Sequence, residues 1–130
     1  MPKLPKQSRP ANPSAVRAAW AIEHSLARTA RSAGARTEEW DHLERAHILS
    51  QPLAVAHVRT HLAMLSYAIR NRDRREITGQ LIRLVVAGPG SALGRYPVGN
   101  TGGASVSAVK PMPIPPDLRA VLTGRTLVAS

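Results

Sequence analysis

The stretch "HLERAHILSQPLAVAHVRTHL", residues 42 to 62, holds four of the five histidines of a 130-residue chain. Apolar residues on either side of Gln51 and Pro52 recur at helical spacing rather than in the alternation of a strand, so two helices meet there at a turn. At about 100° per residue, Trp40, Leu43 and His47 share one face of the first helix, with Glu44 about 60° from His47. His42 stands about 140° from His47 and faces another side. In the second helix Leu53, Val55, Val58, Leu62, Met64, Leu65, Ala68 and Ile69 form a wide apolar arc that contains His57 and His61, opposite Arg59, Ser66 and Arg70. One turn separates His57 from His61, the spacing that lets two ring nitrogens reach one ion.

An antiparallel turn through Gln51 brings His47, just before it, to face His57, just after it. The spacing therefore predicts a metal site of His47, His57 and His61, with Glu44, or more weakly Glu23, as an oxygen ligand; His42 is the outlying candidate. The chain has no cysteine, which excludes disulfides, thiolate sites and iron–sulfur clusters and leaves nitrogen and oxygen donors. Such a set suits a divalent transition metal, Zn²⁺ first, with Co²⁺, Ni²⁺, Cu²⁺ and Fe²⁺ as alternatives. The competing reading is a polar core network in which Glu44 and Glu23 satisfy the rings by hydrogen bonds alone. No HExxH pair is present, and only Glu44 to His47 supplies the Glu-x-x-His spacing of a di-iron bundle on the core side. No nucleophile stands beside an evident base.

Outward from the turn, helical signals continue in both directions. Residues 14 to 33 put Val16, Ala19, Trp20, Glu23, Leu26, Ala27 and Ala30 on one face, with Gly34 as a stop; Thr37 reads as the N-cap of the next helix. Pro52 suits the first turn of a third helix reaching Asn71, and Asp73 with Glu76 resembles a capping box opening a fourth, which the Gly-Pro-Gly at residues 88 to 90 should end. The expected fold is all-α: a small antiparallel bundle of about four helices. Hydrophobic residues make up 43% of the chain but aromatic ones only 3%, so Leu, Ile, Val and Ala must build the core. Residues 89 to 115 are Gly/Pro-rich, yet Leu93, Tyr96, Val98, Val106, Val109, Met112 and Ile114 recur in them. That predicts an ordered extended segment packed over the bundle, ending in a short helical turn at Asp117 to Leu122. Residues 1 to 12, with three prolines and no acid, read as a flexible basic tail; 13 to 122 as one domain; and 123 to 130 as a loose C-terminus.

Eighteen Lys and Arg against eight Asp and Glu give a formal charge of +10, so nucleic acid is weighed as a partner. Its residues would be the basic tail and the cluster Arg70, Arg72, Arg74 and Arg75, although no aromatic platform interleaves them. No apolar stretch long enough for a membrane span or a secretory signal appears, which sets a cytoplasmic location as the expectation.

The stretches "HLERAHILSQ", "HVRTHLAML" and "REITGQLIRLVVAGPGSALGRYPVGNTGGASVSAVKPMPIPPDL" resemble a small bacterial family of uncharacterised proteins, domain of unknown function 3703. The likeness spans Trp40 to Leu118, and the first helix departs from it. The resemblance implies that Glu44, His47, His57 and His61 belong to the family pattern together with residues 99 to 102, Gly-Asn-Thr-Gly. It also implies a metal-linked role, because members of that family resemble neighbours of metal-resistance genes. Three functions are thus in view: a metal-binding protein of homeostasis or resistance, a basic nucleic-acid or adaptor module with a structural histidine core, and a metal-dependent enzyme.

Overall fold

The computed structural model describes residues 4–107 and 110–125. Five helices follow one another: α1 (Pro13–Ser32), α2 (Arg36–Ser50), α3 (Ala54–Arg70), α4 (Arg74–Ala92) and α5 (Pro116–Thr123). Among the described residues the fold is all-α. α1 packs along α2 and α3 along α4, and the two hairpins join through α2 and α3. The outermost part of the C-terminus expected to be loose, 126 to 130, lies outside the described residues. No described helix is long and apolar enough to cross a membrane.

Local chemistry accounts for the helix ends. The Asn12 side chain accepts from the Ala15 amide at 3.1 Å, with Pro13 at the first helical position, and this starts α1. Asp73 does the same for α4, accepting from the Glu76 amide at 3.0 Å. The second half of the expected capping box is not made, because the Glu76 carboxylate reaches Gln80 and the Ala104 amide instead. Thr37 is not the N-cap of α2; that position is Ala35, one turn before the buried Glu39, whose carboxylate holds Arg70 of α3 at 2.6 and 3.2 Å.

α4 does not stop at Gly88. It continues through Gly88, Pro89 and Gly90 to Ala92, since Gln80, Ala87 and Ser91, at i, i+7 and i+11, all bury against the bundle. Pro89 stays tolerable because it faces solvent, where the carbonyl it fails to pair can bind water. The core has two centres. Ala27, Leu43 and Met64 gather with Trp40 and Tyr67, and Ile48, Leu49 and Leu118 gather with Trp20 and Ile114 under α5.

The described residues of the Gly/Pro-rich segment, to 107 and from 110, pack over the bundle as an ordered strap, and Val109 lies outside the described residues. Gln51, at the α2–α3 turn, donates to the Pro97 carbonyl at 2.7 Å and accepts from the Gly99 amide at 3.1 Å. Asn100 is 1% exposed; its amide nitrogen donates to the carbonyls of Ser107 and Lys110, both at 2.7 Å, and its side-chain oxygen accepts from Gly102 at 2.9 Å. At the other end of the chain, residues 4 to 12 lie beside the end of α4: the Gln7 amide donates to the Gly94 carbonyl and the Arg95 guanidinium to that of Leu4.

Two glycines of the strap have no substitute. Gly99 has φ +76° and Gly102 φ +86°; a Cβ on the first would overlap the Met112 carbonyl, and on the second it would lie 2.5 Å from Cδ2 of the His47 ring. Gly34, also at positive φ, has open space around it. Gly34→Ala is therefore expected to lower unfolding free energy by about 1 kcal/mol, the left-handed penalty alone, and Gly99→Ala by more than about 3 kcal/mol, since the strap must shift. Urea unfolding of the two variants checks the difference.

Candidate metal centre

α2 ends at Ser50 and α3 begins at Ala54, so the turn is tight enough to set the last turn of one helix against the first two of the other. His47 arrives from α2, and His57 and His61 from adjacent turns of α3. All three are buried. Their rings meet through the same atom: Nε2 of His47 lies 3.0 Å from that of His57 and 3.1 Å from that of His61, and the last two are 3.2 Å apart. The ring planes are inclined rather than stacked, at 65°, 70° and 40°, which aims three nitrogen lone-pair directions into one small space.

The outward nitrogens decide which form each ring takes. Nδ1 of His47 is 2.5 Å from the Asn100 carbonyl, which can only accept. Nδ1 of His57 is 2.6 Å from Oγ of Ser91, and that hydroxyl gives its single proton to the Gln51 carbonyl at 2.6 Å, leaving it only acceptance toward the ring. Nδ1 of His61 is 2.6 Å from Oε1 of Gln80. The Gln80 amide is oriented by its nitrogen, which donates to Glu76 and to the Gly102 carbonyl at 2.8 Å. Each Nδ1 therefore carries the hydrogen, and each Nε2 presents a bare lone pair.

Protonating one ring would give the cluster an internal donor, but burial opposes it. Desolvation holds His47 well below the usual imidazole value, helped by its two neighbours. It also brings His57 down to about 3 and His61 to about 4, with the Arg83 guanidinium pushing His47 and His61 the same way. Three neutral acceptors at about 3 Å from one another, with no hydrogen between them, repel.

The other candidates take separate places. Glu44 is half-buried one turn before His47 and hydrogen-bonds to the side chains of Thr101 and Trp40, and burial raises its carboxyl pKa. It holds the strap residue between Asn100 and Gly102, not a histidine ring. Among the described residues the convergent group consists of the three histidines without a carboxylate. Glu23 and His42 do meet, at 2.7 Å, but on the α1–α2 side, where Glu23 also takes Arg45 at 3.0 Å and Arg45 pairs with Asp117 of α5. The fifth histidine, His24, packs on Trp20 and reaches Thr60 at 3.3 Å.

A family model described as a protein of unknown function, DUF3703, matches residues 14–122, the span that contains all three histidines, their turn and the strap. The chain belongs to this family. The family's span also takes in α1 from its second residue onward, a helix that the sequence resemblance had set apart. No curated protein and no solved structure matches the chain.

Sequence reasoning missed the three outer partners. Gln80 and Ser91 carry a signal in retrospect, being polar residues on the inward face of α4, eleven positions apart. The Asn100 carbonyl carries none, because a backbone acceptor is invisible in side-chain identity. Of the arginine cluster, Arg70 pairs with Glu39, while Arg72, Arg74 and Arg75 are exposed around the α3–α4 turn. A groove of about 670 Å³ between residues 6 to 10, α1 and the start of α3 is lined by Lys6, Arg9, Arg17 and Arg59, with Ser91 also on its wall.

The depressed histidines fix a pH dependence for the metal-free protein. Above the unfolded value of about 6.5 neither state is protonated and stability does not change with pH. Below it the unfolded chain binds protons first, so stability falls as pH drops from there toward the folded values near 4 and 3. The urea midpoint is expected to be clearly lower at about pH 5 than at about pH 7.5, and the double change His57→Gln with His61→Gln should flatten that part of the curve.

Proposed function

We propose that this chain is a metal-binding protein in which His47, His57 and His61 hold one divalent transition-metal ion, Zn²⁺ first, through their Nε2 atoms. The observation that carries the reading is the set of three bare, convergent Nε2 lone pairs, each ring locked in that form by an outer acceptor and kept neutral by burial. A cation is the one partner that turns the mutual repulsion of these atoms into attraction. Outer hydrogen bonds from ligating imidazoles to oxygen acceptors are the usual support of such sites, fixing tautomer and ring direction.

The distances fit. With their Nε2 atoms 3.0 to 3.2 Å apart, His47, His57 and His61 would hold one such ion as neutral nitrogen ligands, the donor type that suits Zn²⁺. Three protein ligands and no carboxylate would leave such an ion open to exchange, which suits capture and release by a buffer or carrier in metal homeostasis or resistance. The outer partners of the rings divide the work: Ser91 ties His57 to the α2–α3 turn, Gln80 ties His61 to α4, and Asn100 ties His47 to the strap.

Equilibrium dialysis against Zn²⁺ near pH 7 is expected to load one ion per chain. His57→Ala combined with His61→Ala should abolish loading. Ser91→Ala and Gln80→Leu should retain it with affinity lowered roughly 10–100-fold. Because the ligands are already neutral, calorimetry in buffers of different ionisation enthalpy should register almost no proton release from the rings. Loading of the wild type no better than that of the double variant defeats the proposal.

A further inference from the structure

The apolar arc of α3 is wider than one core needs, and the structure divides it. His57, His61, Met64 and Ala68 turn inward, whereas Val55, Leu62 and Ile69 point to solvent, Val55 with 72% of its surface exposed. These three recur every seven residues. Val58 and Leu65, three positions after the first two, are half-buried beside them. The result is an a/d heptad seam along the edge of α3 whose a positions stay exposed among the described residues.

α4 extends the same surface. Val58 lies against Gly88, which puts the seam on the side of α3 that meets α4. By helical phase Leu81 and Val85 rise on the facing edge of α4, Val85 being 76% exposed. Ile82, Val86 and Leu93 continue the surface over the outside of α4. Of the ten large hydrophobic residues exposed in the described chain, seven lie on these two helices, Leu93 caps the end of α4 and two lie on α1, so the excess belongs to one layer of the bundle.

The size and chemistry of the face select an occupant. Eight aliphatic side chains, each more than half exposed, present on the order of 800 Å². That exceeds the roughly 300–600 Å² of the largest apolar patch on a typical monomer and equals the share of one partner in a standard-size interface. The exposed positions from 77 to 94 carry no charge, and Arg59 and Arg70 are exposed on α3. A strongly acidic partner would find no cation inside the face. A helix of the same heptad spacing interdigitates with it, and a second copy of the chain supplies one.

We infer that two copies of this protein associate through the outer faces of α3 and α4, forming an intermolecular four-helix layer centred on Leu62. His57 and His61 are buried on the inward side of α3 and take no part in this face, so association does not depend on the metal. In a two-fold arrangement of either polarity Leu62, at the middle of the seam, lies close to its own counterpart. Parallel seams also bring Val55 to Val55, and antiparallel seams bring Val55 to Ile69.

The test is the mass in solution of the full chain by light scattering, with and without chelator. Twice the 14.0 kDa chain mass is expected in both conditions. Leu62→Glu and Val85→Glu should each yield the single-chain mass while keeping the helical circular dichroism of the wild type, since neither side chain is part of the core. The absence of cysteine from the chain permits a second reading: Leu62→Cys should form a disulfide-linked dimer on mild oxidation, and Ile22→Cys, on α1 and somewhat more exposed, should not. A wild type of single-chain mass at all concentrations, a Leu62→Glu protein that stays dimeric, or a single-chain wild type that uses this face to bind anionic vesicles overturns the inference.

Discussion

The hydrogen bond from His47 to the Asn100 carbonyl joins the two halves of this molecule. On one side of it stand two helical hairpins whose rings converge; on the other stands a strap of glycine, proline and small residues with little helical propensity of its own. Asn100 carries the contact with its backbone and builds the strap with its side chain, through Ser107, Lys110 and Gly102. Gly102 then sits so close to the same ring that a Cβ would clash with it, and its carbonyl accepts from Gln80, which orients His61. Fold and candidate site are thus one hydrogen-bonded unit, and loosening the strap frees two of the three rings.

This coupling explains why polar groups are spent so freely in a small core. Gln51, Gln80, Asn100 and Ser91 are all buried, and each is satisfied by a backbone carbonyl or amide, or by a ring nitrogen. Burying them unpaired would cost several kcal/mol each. Paired, they fix geometry that aliphatic packing leaves free: which way each imidazole points, and which nitrogen carries its hydrogen. The central Nε2 atoms of the three histidines differ, because there acceptors face acceptors.

Much of this was legible in the sequence because helical phase is a strong constraint. The i, i+4 pair His57 and His61, the turn at Gln51 and the separation of His42 from His47 follow from 3.6 residues per turn. The bundle, the antiparallel hairpins and an ordered C-terminal strap follow from periodicity and turn chemistry. What stayed hidden has specific causes. The place of Glu44 depends on Thr101, nearly sixty residues away, which no local pattern reveals. The run of α4 through Gly-Pro-Gly reflects burial of Ser91 overriding local propensity. The outward turn of Val55, Leu62 and Ile69 was concealed because an apolar arc looks the same whether one partner or two will cover it.

The central claim, that three neutral imidazoles present bare Nε2 atoms to a common cation, is open to direct observation by ¹⁵N NMR of the histidine rings. In the metal-free protein near neutral pH, the rings of His47, His57 and His61 are expected to be protonated at Nδ1 and unprotonated at Nε2, with the Nε2 signals of all three shifting together on one equivalent of Zn²⁺. A hydrogen on any of these Nε2 atoms in the metal-free protein, or Nε2 signals that Zn²⁺ leaves in place, would contradict it.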